Sequence, residues 1–263
     1  MLKKLLSSLV LGASIGTALA VSAPARAQSA CPASGTASSL PAGGCKGTPS
    51  RYEIVVYEMG LCTSDPLASS SFDNSSCTAT LIDTSGITAD LAGGASVSLG
   101  SGSGGERPAD GTYSHAYIII ANTFGLNISY TLGGITYVST TSGGAANSGS
   151  AANFTEALKT FGDPSGPCTP NANESVGGGT LKAIVATGTL TPASACTGVS
   201  RIIGSFEPTT PITIDADTTG LNVTFSVTNN GATIMDDRSG GGSGTTVGGF
   251  GGGPFSPTFT VLN

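Results

Sequence analysis

The sequence predicts an all-β protein, an antiparallel β-sandwich or barrel-like fold with one short helix and disulfide-stapled loops. Three observations carry this. About ten short runs of β-branched and aromatic residues are separated by Gly, Pro, Asn and Asp turn residues, the spacing of a sandwich or barrel of one domain. Glycine supplies 40 of the 263 residues, about twice its usual share, while charged residues make up only 10%. The six cysteines form an even set suited to an oxidising compartment. Such sparse charge argues against charge-driven disorder. Ten basic against sixteen acidic residues oppose phosphate, which excludes a nucleic-acid partner.

Residues 1–27 read as a secretory signal peptide. Lys3 and Lys4 precede an apolar stretch over 5–21, and Ala25-Arg26-Ala27 places small residues where a signal peptidase cuts. The apolar stretch is too short for a bilayer-spanning helix of about 20 residues, so no transmembrane segment is expected. Cys31 lies too far from this stretch for a lipoprotein signal. Cleavage after Ala27 leaves 236 residues with seven basic and sixteen acidic side chains, a net charge of −9. The expected location is extracellular or cell-surface, with the periplasm as the other compartment open to an exported chain.

All six cysteines survive cleavage. Of the 15 possible pairings the sequential one is expected, Cys31 with Cys45, Cys62 with Cys77 and Cys168 with Cys196, because each closes a loop of turn-forming residues. A zinc site is disfavoured, since no Cys-x-x-Cys occurs and His115 is the only histidine.

Along the mature chain, residues 28–50 read as an irregular, disulfide-stapled arm, and 51–238 as the β-sandwich domain. Residues 52–59 are nearly continuously apolar, which suits a strand covered on both faces. The polar loop between Cys62 and Cys77 returns as a strand over 78–83. Asp110-Gly111 opens a strand through Tyr113, Tyr117, Ile118, Ile119 and Ile120. Leu126, Ile128, Tyr130 and Leu132 alternate with polar neighbours, Gly133-Gly134 turns the chain, and 135–141 run back. This turn sets Leu132 opposite Ile135, Thr131 opposite Thr136 and Tyr130 opposite Tyr137.

The one helix is expected over 153–161: Asn153 caps, Glu156 occupies the third position, Phe154, Ala157, Leu158 and Phe161 follow helical spacing, and Gly162 with Pro164 ends it. Further strands are expected over 181–190, 201–206, 211–215 and 221–228. Asn229-Asn230-Gly231 reads as a hairpin turn into 232–236. A division into two smaller sandwiches near 142–150 is the alternative organisation. Residues 239–254 read as a flexible Gly-rich linker, and 255–263 as a C-terminal strand in which Phe255, Pro257, Phe259 and Val261 alternate with Ser256, Thr258 and Thr260. Such a strand can pair with its own sheet or a neighbour's, and Pro257 favours an edge position. Phe255, Phe259 and Val261 are therefore the candidate assembly residues.

Several motifs point to chemistry without the context that chemistry requires. The Gly-x-Ser-x-Gly pattern at 12–16 lies inside the signal peptide. Gly100, Gly102 and Gly105 match a dinucleotide fingerprint, but Glu106-Arg107-Pro108 follows where a helix should begin. Any histidine mechanism must use His115, which a strand flanked by Tyr113 and Tyr117 reads more simply as a polar surface position. Asp215 with Asp217, and Asp236 with Asp237, offer calcium-type carboxylates without an EF-hand spacing. Glu53, Glu58, Glu106, Glu156, Glu174 and Glu207 leave a two-carboxylate hydrolase open in principle. The five Asn-x-Ser/Thr sites, at Asn74, Asn127, Asn153, Asn173 and Asn222, follow from an Asn-, Ser- and Thr-rich composition.

The expectation is thus a secreted or cell-surface structural β-protein, a fibre or matrix subunit that assembles through sheet edges and the tethered C-terminal strand, and not an enzyme. It would associate with itself or with another surface protein and needs no cofactor. An adhesin or glycan-binding module, with ligand on exposed tyrosines and Asp/Asn loops, is the alternative. A secreted carboxylate-dependent hydrolase ranks third.

Overall fold

A computed structural model describes residues 28–94, 96–99, 104–162 and 166–263, and for 96–99 only the backbone path. The expected signal peptide and most of the Gly100–Gly105 motif lie outside these residues. In chain order the strands are β1 (Cys45–Gly47), β2 (Arg51–Cys62), β3 (Cys77–Asp90), β4 (Ser96–Leu99), β5 (Gly111–Tyr113), β6 (His115–Ala121), β7 (Thr123–Asn127), β8 (Ser129–Leu132), β9 (Ile135–Ser139) and β10 (Ala145–Ala146). They continue with β11 (Phe154–Ala157), β12 (Asn171–Val176), β13 (Gly179–Ala186), β14 (Arg201–Pro208), β15 (Ile212–Ile214), β16 (Gly220–Ser226), β17 (Ala232–Asp236), β18 (Val247–Gly252) and β19 (Ser256–Leu262). Two single 3-10 turns, Leu91–Gly93 and Arg238–Gly240, are the only helical segments among the described residues.

The organising element is an eight-stranded antiparallel sheet that curls into a half-barrel. Its axis is β2, which pairs with β3 along one side and with β7 and then β6 along the other. Against β6 the register shift after Val56 puts one extra residue, Tyr57, in β2, and against β2 the shifts opposite Val56–Glu58 and Met59–Gly60 put extra residues in β3, the device that bends a strand and tightens its twist. From β6 the sheet continues through β14 and β13 to β12, and from β7 to β11. Two three-stranded sheets, β19-β16-β4 and β1-β17-β18, close over its inner face. The main core lies between them, with Tyr52, Ile54, Leu126, Val223, Phe225, Ile234 and Phe255 all buried.

The outer face of the large sheet is also covered. There Tyr117, Ile119, Ile184 and Ile203 form a second cluster under Leu67 and Phe72 of the loop between Cys62 and Cys77. This is why β6 reads as a nearly continuous apolar run, with a dry layer on both sides, whereas β2 is buried on both faces only at its end, Met59–Cys62, and alternates buried and half-exposed residues before it.

Local chemistry settles several elements as expected. β8 and β9 pair in the register the Gly133-Gly134 turn demands, with Leu132 opposite Ile135, Tyr130 opposite Tyr137, and the Thr131 and Thr136 hydroxyls 2.9 Å apart. Both turn glycines have positive φ, 58° and 80°, as a type I′ turn requires. The three disulfides are Cys31–Cys45, Cys62–Cys77 and Cys168–Cys196. Cys62 and Cys77 are direct partners across the β2–β3 ladder.

Four expectations need correction. Residues 153–161 do not form a helix: β11 pairs with β7, Phe154 opposite Leu126, and buries Phe154 in the core. A helix this short must offset a costly nucleus, whereas a sheet edge offers a ready-made ladder. Asn153, expected as the cap, accepts a hydrogen bond from the Asn127 side chain instead.

The segment 239–254 is not a free linker, because β18 pairs with β17. Its glycines serve close approach: a Cβ on Gly248 would fall 2.6 Å from the Asp236 carbonyl oxygen. The Asn229–Gly231 turn links strands of two different sheets and makes no hairpin, since both edges of β16 are occupied by β19 and β4. The arm 28–50 is partly regular, with β1 paired to β17 and Leu40 buried.

Candidate functional site

Three places gather the residues singled out in the sequence. The first lies on the outer face of the large sheet, where β6, β14 and β13 bring His115, Ser205, Glu207, Thr180 and Lys182 around a shallow hollow. His115 Nδ1 lies 2.9 Å from the Ser114 hydroxyl. Asp65, from the stapled loop, accepts from Lys182 Nζ at 2.6 Å, from the Ser205 hydroxyl at 3.0 Å and from the Leu67 N–H at 2.9 Å. Partial burial pushes the Asp65 carboxyl up, but these hydrogen bonds outweigh it and hold the carboxyl below its usual range. The cluster therefore fixes Lys182 and pins the loop over the sheet.

The second is the set of acids, which the fold disperses. Glu53 pairs with Arg51 and Glu174 with Lys46. Glu58 accepts from the Tyr117 hydroxyl at 2.5 Å, and burial together with that carboxylate pushes the phenol up. Asp236 is bound by Arg238 and by the Gly43 N–H. Asp237 accepts from Thr246 and from the Gly244 N–H, which hold it below the usual carboxylate range. Asp215 closes its own turn with the Asp217 N–H and Thr218. Of the two pairs considered for calcium, Asp215, Asp236 and Asp237 thus use their carboxylates to close turns and loops, and Asp217 contributes its N–H to one of them. Among the described residues no three His, Cys, Asp or Glu side chains converge.

Glu156 stands apart. It reaches from β11 to β18, where its carboxylate accepts from the Gly252 N–H, and burial pushes its carboxyl up. Added Cβ atoms on Gly251 and Gly252 would lie 3.3 and 3.1 Å from its oxygens, so both glycines make room for it.

The third place is the C-terminal strand and the sheet edges beside it. β19 pairs with β16 of the same chain over its whole length, from Ser256 opposite Ser226 to Leu262 opposite Gly220. Phe255 is buried edge-on against Phe225, centroids 5.3 Å apart, and against Tyr52 at 6.2 Å. Phe259 packs on Phe206, and Val261 lies partly buried against the core. The candidate assembly side chains are therefore engaged within the chain, and what β19 offers outward is its second edge. A small apolar cavity of about 30 Å³, lined by Leu181, Phe206, Phe225 and Phe255 among others, remains beneath it.

Sequence reasoning missed β12. It is an edge strand of the large sheet, with Asn171, Asn173 and Ser175 exposed and Ala172, Glu174 and Val176 turned inward. Its polar-apolar alternation before a Gly-Gly turn was a readable hairpin signal, weakened by the scarcity of β-branched residues.

The tyrosines offer no sugar-stacking platform. Five of the six are buried, and the Arg201 guanidinium covers the Tyr57 ring at 3.7 Å from its centroid. Among the described residues no helix is long and apolar enough to cross a membrane. Three disulfides fit an oxidising compartment. No known protein family, curated protein or solved structure matches this chain.

Proposed function

We propose that this protein is an exported, non-enzymatic structural component of a cell surface or extracellular matrix, which joins its neighbours through backbone edges of its sheets. The observation that carries this reading is the pairing of a disulfide-stapled, two-layer β body with edge strands whose outward backbone groups are unclaimed. The dispersal of most of the acids into ion pairs, turns and hydrogen bonds that hold the fold supports it. The N-terminal 27 residues supply the export signal, and the seven-to-sixteen ratio of basic to acidic residues in the mature chain suits a soluble exported body.

Surface labelling of intact cells with an antibody to the folded protein, beside fractionation and non-reducing gels, tests the reading. The expected result is a processed, fully disulfide-bonded protein outside the cytoplasm. A full-length, reduced chain in the cytosol would overturn it, as would a hydrolytic activity abolished by Glu207→Gln.

A second reading has one specific support. The patch around His115, Thr180, Lys182, Ser205 and Glu207 is too shallow to enclose a ligand, but its mixed donors and acceptors can hydrogen-bond a polyhydroxylated one laid on the surface. A glycan array with the wild type and Lys182→Met separates this binding-module reading from the structural one.

A further inference from the structure

We propose that the partner at the β12 edge is a second copy of this chain, its own β12 pairing antiparallel across a two-fold axis at Asn173. The inference rests on the edge-joining reading above and names the edge, the partner and the register.

The backbone parity comes first. The Val185 N–H donates to the Pro170 carbonyl at 2.9 Å, in line with the β12–β13 register of Asn171 opposite Ile184. Ladder bonds alternate along an antiparallel pair, so Ala172, Glu174 and Val176 bond to β13 while the N–H and C=O groups of Asn171, Asn173 and Ser175 point away from the sheet. No partner for those outward groups is present among the described residues.

The other two edges of the large sheet, and the edge at β19, are blunted. A bulged stretch interrupts β3 around Asp83, whose carboxylate holds the Ser85 and Gly86 N–H groups, and the Glu106 N–H already occupies the Ala79 carbonyl. β19 contains Pro257, which has no N–H to give. β11 is only four residues long. By contrast β12 has six residues, no proline and no bulge. Its one edge-protecting feature is the inward-pointing Glu174, and Lys46 of the same chain neutralises that carboxylate at 2.6 Å.

Symmetry and charge then select the register. A two-fold axis normal to the sheet keeps each molecule's outer face outward, so facing residues must share a face. With Asn173 on the axis, Asn171 faces the partner's Ser175, and all three outward N–H and all three outward C=O groups of each strand find partners. The two Asn173 amides face one another and can exchange hydrogen bonds, while Glu174 faces Ala172. Slipping the axis to Glu174 would set two carboxylates directly opposite and leave the Asn171 groups unmatched. The patch is small, so the dimer belongs to the weak, concentration-dependent class below about 1,200 Å².

Sedimentation of the mature protein, residues 28–263, from micromolar to several hundred micromolar, is the test. The weight-average mass should rise toward twice the monomer. Asn173→Glu and Asn173→Lys, each of which puts like charges on the axis, should each weaken association at least tenfold, while an equimolar mixture of the two should regain it. That rescue reads the interface and not the folding of either variant. A monomer throughout, association indifferent to both substitutions, or a mixture no tighter than its components would overturn the proposal. Surface labelling of the wild type keeps the two claims apart: a surface-located protein that sediments as a monomer refutes the dimer alone, and a cytosolic protein refutes the functional reading.

Discussion

Replacing Phe255 by Ala tests whether the C-terminal strand belongs to its own molecule. Phe255 is 8% exposed, lies edge-on to Phe225 and Tyr52, and borders the cavity of about 30 Å³ beneath β19. Truncating a core Phe to Ala costs about 3–5 kcal/mol, and the upper half of that range applies where the new void merges with an existing one and cannot collapse. In a domain of 150–250 residues each kcal/mol lowers Tm by about 2–4 °C, so the fall should be roughly 8–20 °C. Near-UV circular dichroism during heating measures it, with Thr258→Ala on the exposed face of β19 as the control, expected within about 2 °C of wild type. A Phe255→Ala protein that melts with the control would mean that this strand is not anchored in its own chain, and the cis pairing of β19 with β16 would fail with it.

Further outcomes follow from the same geometry. Glu156 has its carboxyl raised by burial, so its contribution to stability is complete below the unfolded pKa and is lost as pH rises through the folded one. Glu156→Gln should therefore melt higher than wild type at pH 8 and level with it near pH 4; the opposite order would refute the burial argument. Asp65 is shifted the other way, so its contribution is present above the unfolded carboxylate pKa and fades as pH falls through the folded one. Asp65→Asn should lower Tm at pH 7 and lose that deficit in acid, as read by calorimetry across pH. Replacing Cys62 and Cys77 together by Ser opens a loop of 15 residues and should cost about 3 kcal/mol in urea titrations, with the fold retained because the β2–β3 ladder persists.

What could be read beforehand was what neighbouring residues decide among themselves. The Gly133-Gly134 turn admits one register, and it placed Thr131 against Thr136 correctly. The cysteines pair in sequence order because each loop is short and made of turn formers. What failed depended on a distant partner. Residues 221–228 look alike whether they pair with 232–236 or, as they do, with 256–262. Phe154 to Ala157 satisfy a helical spacing, and only the presence of β7 beside them makes a strand the better solution. Glycines at 248–252 signal freedom when counted and crowding when Asp236, Met235 and Glu156 are seen against them. Of the candidate site, the C-terminal strand was legible by its alternation. The β12 edge was not, because an edge is defined by what fails to lie next to it.

The disulfide arrangement bears on how the chain matures. Each bond joins a cysteine to the next one in line, at separations of 14, 15 and 28 residues. A polypeptide that enters an oxidising space N-terminus first would present Cys31 and Cys45, then Cys62 and Cys77, then Cys168 and Cys196, in the order in which they must be joined. Oxidation in order of arrival yields the native set directly, so this protein should reach its finished form with an oxidant alone and without an enzyme that reshuffles mispaired thiols.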